Sequence, residues 1–351
     1  MVQEIAIGEF LKYRKEMAVV DVRSPSEFEK GHIPGAVNIP LFSDEERAEV
    51  GTTYKQKGKK AAIRLGLEIV GPRMLSMAEK GDQIAGPSNK LIVHCWRGGM
   101  RSENMAWLFS RLGIQCYTLQ GGYKSYRRFG RSLIQQPLNL VVLGGMTGSG
   151  KTEMIDELEK MGEQVLNLEQ KAHHKGSAFG SIGQMEQHQT EHFENLLFEE
   201  LLNLDLSKKI WVEDESKHIG KNCIPDELFH QMRQSPVVKV MLPKKHRVKR
   251  LVDEYSAYGD KYLKASILRI DKRLGGKNTQ RALEAITNKD YHTAADIVLS
   301  YYDKAYSYGL SKRDQSTIYS LELVEDHPEK NAVMVKQFTE LQVKAQTQVS
   351  L

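Results

Sequence analysis

Two short runs of residues carry the chemistry of this chain. The first, His94-Cys95-Trp96-Arg97-Gly98-Gly99-Met100-Arg101-Ser102, places a thiol at the head of a glycine loop flanked by guanidinium groups. Successive backbone N–H groups of such a loop, together with the N-terminus of a following helix, converge on the sulfur and favour the thiolate. The second, Gly145-Met146-Thr147-Gly148-Ser149-Gly150-Lys151-Thr152, has the Gly-x4-Gly-Lys-Thr spacing that cradles phosphates. Here Gly145, Gly148, Ser149 and Gly150 let the backbone wrap the oxygens, Lys151 reaches the terminal phosphates, and Thr152 is placed to hold Mg2+. Cys95, Arg101 and Lys151 are therefore the candidate catalytic residues, and Trp96, Arg97, Gly98, Gly99 and Met100 form the thiol loop. One chain joins sulfur-type group transfer to the handling of a di- or triphosphate.

Each cradle needs a strand before it and a helix after it. Lys90 to His94 reads as a buried strand and Arg101 to Leu112 as a helix stopped by Gly113. Leu138 to Leu143 is the strand entering the second cradle, and Met154, Ile155, Leu158 and Met161 give the helix that leaves it. A strand beginning at Glu163 completes a βαβ unit. Further upstream, Ala18 to Arg23 and Ala36 to Pro40 read as strands, with a helix start at Ser24-Pro25-Ser26-Glu27. Ile210-Trp211-Val212 is a later apolar strand ending in Glu213-Asp214-Glu215, so Glu213 or Asp214 is the candidate acid for Mg2+, directly or through water. The alternative for both is a solvated strand end.

The expected fold is α/β in two domains. Residues 1–135 form the first, with an inserted helical hairpin at about 43–88. Residues 136–325 form the second, a phosphate-loop domain with a helical C-terminal part from Pro243 onward, and 326–351 is a tail whose weak signals suggest fraying. Three widely spaced cysteines argue against a disulfide framework. Cys116 reads as core, and Cys223 is a weak candidate for a resolving thiol. The first ten residues lack the basic start of a secretory signal and no run is apolar enough for a bilayer, so the expectation is a cytoplasmic protein with no membrane partner.

The net charge of +5 is compatible with a nucleic-acid partner without requiring one. Two stretches concentrate it. Lys55-Gln56-Lys57-Gly58-Lys59-Lys60 reads equally as a solvated helix face or a nucleic-acid contact. In the helix after Pro243, the apolar face Val248, Leu251, Val252 and Tyr255 leaves Lys244, Lys245, Arg247 and Arg250 outward, and with Arg273 these are candidate nucleic-acid contacts. A lid over the phosphate loop and a plain solvated face are the competing readings. His173-His174-Lys175-Gly176-Ser177-Ala178-Phe179-Gly180 suggests a substrate loop.

The thiol run also fits the His-Cys-x5-Arg-Ser pattern of cysteine-dependent phosphatases. Upstream, Asp21-Val22-Arg23-Ser24-Pro25-Ser26-Glu27-Phe28 and Gly31-His32-Ile33-Pro34-Gly35-Ala36-Val37-Asn38-Ile39-Pro40 resemble the rhodanese domain, as does the later turn Leu119-Gln120-Gly121-Gly122-Tyr123. Such a domain followed by a phosphate loop resembles the tRNA 2-selenouridine synthase family, and Val50-Gly51-Thr52-Thr53-Tyr54-Lys55-Gln56, Gly176 to Gly180 and Trp211 to Ser216 match the same family. The resemblance thins beyond about Asp326. It implies a transferase that acts on the wobble 2-thiouridine in the tRNA anticodon stem-loop, first alkylating it with geranyl diphosphate and then displacing the S-geranyl group with selenium from selenophosphate. Cys95 is then a perselenide carrier or the group that receives selenium, and an enzyme producing selenophosphate is an implied partner. Arg101 either neutralises the loop anion or pairs with an acid such as Glu27. The alternatives are an ATP-dependent tRNA sulfurtransferase and a phosphatase fused to a nucleotide-binding module.

Overall fold

Short β-branched runs become parallel strands buried on both faces, and each cradle sits where one of them ends. The computed structural model describes residues 2–349. Two compact units divide it, 1–133 with 189–199, and 134–188 with 200–351.

The first unit is built on a parallel sheet of β1 (Val2–Ile5), β2 (Ala18–Asp21), β3 (Val37–Asn38), β4 (Lys90–His94) and β5 (Gln115–Leu119), in the order β1-β5-β4-β2-β3. Leu91, Ile92 and Val93 are fully buried, as a parallel strand covered on both faces requires. Register sets Asp21 beside His94, so the carboxyl ends of β2 and β4 finish together. The pattern missed β1 because three of its four residues are exposed and only pairing with β5 defines it.

The insertion has three helices, Asp44–Lys57, Lys59–Val70 and Met74–Ala85, where a hairpin was expected. The short turn Gly71-Pro72-Arg73 breaks the run because proline cannot continue the helix hydrogen-bond ladder. Met77, Ala78 and Ala85 of the third helix join the core under β4.

Residues 189–199, expected in the second domain, count with the first unit. Arg14 donates two hydrogen bonds to Glu199 at 2.8 and 2.6 Å, Tyr126 donates to Glu199 at 2.6 Å, and Asn195 donates to the His32 carbonyl at 2.8 Å. These partners lie far apart in sequence, so no local pattern announces them.

The second unit has a parallel sheet of β6 (Leu140–Gly145), β7 (Gln164–Leu166), β8 (Ile210–Glu213), β11 (Val237–Met241) and β12 (Ile318–Glu322), with a small ribbon of β9 (His218–Ile219) and β10 (Asn222–Cys223). Its order is β12-β11-β6-β8-β7. The chain goes to one side of β6 and then to the other, so the carboxyl end of β6 is a switch point, the place where open α/β sheets bind ligands. The region after Pro243 is helical except for β12, which pairs along its length with β11.

The expected tail from 326 is instead the helix Pro328–Val349. Ala332, Val335 and Phe338, three residues apart, lie against the core around Met154, Ile155 and Leu158. Among the described residues no helix is long and apolar enough to cross a membrane.

Candidate functional site

Cys95 follows β4 directly and is buried, with its Sγ 3.3 Å from the Ser102 hydroxyl. The loop is closed from beneath by the Gly121-Gly122 turn, through hydrogen bonds from Tyr123 N to the Cys95 carbonyl and from Lys124 N to the Trp96 carbonyl, both 2.9 Å. Gly122 has φ +57°, and a Cβ there would lie 2.3 Å from the Cys95 carbonyl oxygen. Only glycine permits that approach.

Behind the loop, Arg23 is fully buried, donates to both Asp21 oxygens and the Gly31 carbonyl, and stacks 3.9 Å from the Tyr123 ring centre. Burial holds the His94 imidazole pKa below its usual value, favouring the neutral form. The motif residues Asp21, Arg23 and Gly31 therefore build the floor of the loop.

Arg101 donates to Glu27 Oε2 at 2.8 Å, so of its two readings the structure displays the pairing. Burial raises the Glu27 pKa, but the bond and charge of Arg101 outweigh it and hold the carboxyl below its usual range. Arg97 and Met100 are exposed, and Trp96, Gly98 and Gly99 are half-buried. Cys116 is core, its thiol pushed up to about 12 by burial. Cys223 is half-buried on β10.

The lysine loop leaves β6 at Gly145 and enters the helix Lys151–Lys160. Lys151 Nζ donates to the Gly145 carbonyl at 3.0 Å, folded back over its own loop. Gly148 and Gly150 both have φ +77°. The Thr152 hydroxyl donates to Glu169 Oε2 at 2.6 Å.

Acids crowd the loop from below. Glu213 is fully buried, accepts from Leu168 N at 2.9 Å through one oxygen and leaves Oε1 without a partner. Burial, with the nearby Glu169 charge, pushes its carboxyl up to about 8. Glu215 is raised well above its usual value by the same two causes in the same order. Asp214, the other expected acid, is ion-paired with the buried Arg313 at 2.6 Å. Of the two acids the sequence pointed to, Asp214 lines the cavity, together with Glu215 and with Glu169, the acid that accepts from Thr152.

Hydroxyl and carboxylate oxygens are the donor set that a hard divalent cation prefers, and an unpartnered buried carboxylate oxygen fits one. Among the described residues no three acidic, histidine or cysteine side chains are set to hold a metal by themselves. Such a set suits Mg2+, which keeps few protein ligands and takes phosphate oxygens for the rest.

The helix Lys244–Tyr255 corrects an expectation. Arg247 is buried, paired through both guanidinium nitrogens with Asp303 at 2.8 and 2.9 Å, and donates to the Thr147 carbonyl at 3.2 Å. Arg250 pairs with Glu153 at 2.8 Å and with Asp326, its guanidinium against Gly150. Both arginines face the phosphate loop, drawn inward by acids far along the chain. Lys244 pairs with Asp296, Lys245 is exposed, and Arg273 lines the cavity.

That cavity, about 470 Å3, starts at the lysine loop. Lys175, Gly176, Ser177 and Phe179 of the histidine-rich loop line it, as do Glu169, Glu215 and Arg233. Away from the loop its walls combine aliphatic side chains such as Leu251, Leu263, Ile267 and Val298 with the rings of Tyr255 and Tyr302, part of a separate core formed by the C-terminal helices.

Residues 138–330 match the family model described as the tRNA 2-selenouridine synthase AAA domain, and residues 8–128 match the rhodanese-like domain. A tRNA 2-selenouridine synthase of Nitrosomonas europaea is 41% identical over 68% of this chain and 63% of its own length. Proteins of the same name from Bordetella petrii and Serratia proteamaculans are each 34% identical over 88% of this chain, covering 91% and 90% of their own lengths. The solved N-terminal domain of a Clostridium difficile 630 protein is 40% identical over 36% of this chain and 98% of that one, with a TM-score of 0.35.

Proposed function

The chain belongs to the tRNA 2-selenouridine synthase family, and on that premise we propose that it converts wobble 2-thiouridine of tRNA to 2-selenouridine in two steps, one at each cradle. In the first, the thiocarbonyl sulfur attacks C1 of geranyl diphosphate, the C–S bond forms as the C–O bond breaks, and diphosphate leaves with the electron pair while the base gives up its N3 proton. In the second, selenium from selenophosphate bonds to C2 of the base and the C–S bond breaks, releasing geranyl thiolate. Water then cleaves the Se–P bond and phosphate departs.

The observation that carries this reading is the composition of the cavity. The lining runs from the cations and glycines of the loop to aliphatic side chains and the rings of Tyr255, Tyr291, Tyr301 and Tyr302 within one continuous space, a wall on which a prenyl tail can lie. Burial of a prenyl chain contributes about 0.8 kcal/mol per CH2, so a ten-carbon tail supplies several kcal/mol of affinity that a diphosphate alone lacks.

Lys151, released from the Gly145 carbonyl, stabilises the charge developing on the diphosphate. Bound through Thr152 and the acids beneath it, Mg2+ would neutralise further leaving-group charge. Arg247 and Arg250 hold the loop in shape from behind. The Cys95 loop, with its convergent N–H groups, receives the selenophosphate anion, and the Cys95 thiol donates its proton to the departing geranyl thiolate, which leaves as the thiol.

The test is to incubate the protein with 2-thiouridine tRNA, geranyl diphosphate and selenophosphate, then weigh the digested nucleosides. The S-geranyl nucleoside is expected when selenophosphate is withheld, and 2-selenouridine when both are present. Direct selenation without geranyl diphosphate, at the full rate, would contradict the two-step reading.

A further inference from the structure

The helical insertion between β3 and β4 carries a charge pattern that its own fold does not use. From Val50 to Leu67 the chain has five cations, Lys55, Lys57, Lys59, Lys60 and Arg64, and no carboxylate. All five are exposed. The ion pairs of the insertion lie at its base, Arg47 with Glu27 and Arg73 with Glu46, and among the described residues none includes these five.

Part of the pattern has a local explanation. Lys55 and Lys57 close the helix Asp44–Lys57, whose first turn is acidic, and the helix dipole favours that arrangement. Lys59 and Lys60 do the opposite. They open the helix Lys59–Val70 at its positive pole, behind Gly58, which gives no side-chain cap. Lys60 and Arg64, one turn apart, add like-charge repulsion. The hairpin is less stable for both choices, and local rules broken without compensation mark sites kept for another purpose.

The surroundings fit a polyanion. The helix Asp44–Lys57 fully buries no side chain and packs partly buried Val50 against the core, before the lysines at its end. The second helix is anchored by Ala62 and Gly66 near its middle, below the cationic end. Tyr54 is 56% exposed beside the lysines, an aromatic surface of the kind on which bases stack. The other basic stretch is spent internally, with Arg247 and Arg250 paired at the phosphate loop.

We propose that the hairpin tip, Lys55 to Arg64, docks the phosphate backbone of the tRNA substrate. The proposal rests on the tRNA-modifying reading and adds the surface that holds the RNA. Phosphate contacts of this kind are independent of sequence and weaken steeply with salt.

The experiment measures the affinity of the full chain for tRNA across a series of salt concentrations, for the wild type and for the double substitution Lys59→Glu with Lys60→Glu. The variant is expected to bind about tenfold more weakly or worse at low salt, with a log–log salt slope shallower by roughly one to two, about one for each phosphate no longer neutralised. Its Tm is expected to hold or rise, because glutamates suit a helix N-terminus. The neutral pair Lys59→Gln with Lys60→Gln should show the same loss at smaller size, separating charge from folding. Wild-type affinity and slope in both variants would overturn this proposal alone. Failure of the wild type to bind tRNA at all would overturn the tRNA reading and this surface with it.

Discussion

The two cradles solve different problems with the same strand–loop–helix geometry. The thiol loop is closed from beneath and narrow: Gly122 leaves no space for a Cβ, Ser102 touches the sulfur, and buried Arg23 and Asp21 fill the floor. The lysine loop is open on one side to a cavity of about 470 Å3 whose far walls are aliphatic side chains and tyrosine rings. A closed loop selects a single atom on a small anion, and an open one accepts an anion that carries a tail. The contrast follows from what lies behind each strand. Helix Gly122–Gln135 packs under the first, and a separate layer of helices arches over the second.

The sharpest way to break the comparison is Cys95→Ala. The variant is expected to lose all selenium incorporation and to keep geranylation within about threefold of wild type, read from nucleoside masses, because geranylation is assigned to the lysine loop. Lys151→Ala should do the reverse, lowering geranylation by roughly 100- to 1000-fold, the usual cost of removing one preorganised charge stabiliser.

A narrower test separates anion from tail within one cavity. Ala295 is half-buried on the apolar wall. Ala295→Phe should raise the KM for geranyl diphosphate by about tenfold while leaving inhibition by inorganic diphosphate unchanged. Equal effects on both would mean that the hydrocarbon wall does not hold the substrate.

The smallest expected effect concerns support of the lysine cradle. Glu163 is bonded to Lys209 and Lys336 at 2.8 and 2.9 Å and to Trp211 at 3.1 Å, tying the C-terminal helix to the sheet. Burial raises its pKa, but these three partners outweigh burial and bring it down to about 2. A carboxyl depressed by folding stabilises the native state above its ordinary value of 4.5 and loses that contribution as pH falls from there to about 2. Glu163→Gln is therefore expected to lower Tm near neutrality and to converge with wild type toward pH 2. A constant gap across that range would contradict the ion-pair account.

What the sequence disclosed and what it hid follow one rule of range. Each cradle is written in about nine consecutive residues with its strand and helix attached, so both were legible, as was the order of the two α/β domains. Glu169 and Glu215 were not singled out, because Glu169 follows β7 and Glu215 follows β8, and their place beside the loop after β6 depends on the pairing of β6 with β8 and of β8 with β7. Arg247 reads as outward on a helical wheel, yet Asp303, far along the chain, draws it inside. Strand β12 is short and half-exposed, and its partner β11 alone identifies it. The cavity is a property of several helices at once, and no single one of them displays it.

The account stands on the division of labour between the cradles, and one measurement addresses that without passing through the first step. Lys151→Ala is given tRNA already carrying S-geranyl-2-thiouridine, with selenophosphate, and the formation of 2-selenouridine is followed by mass. Near wild-type conversion is the expected result, since only the thiol loop is then required. Conversion as poor as on unalkylated 2-thiouridine tRNA would show that Lys151 acts in both steps, and the separation of the two cradles would fall.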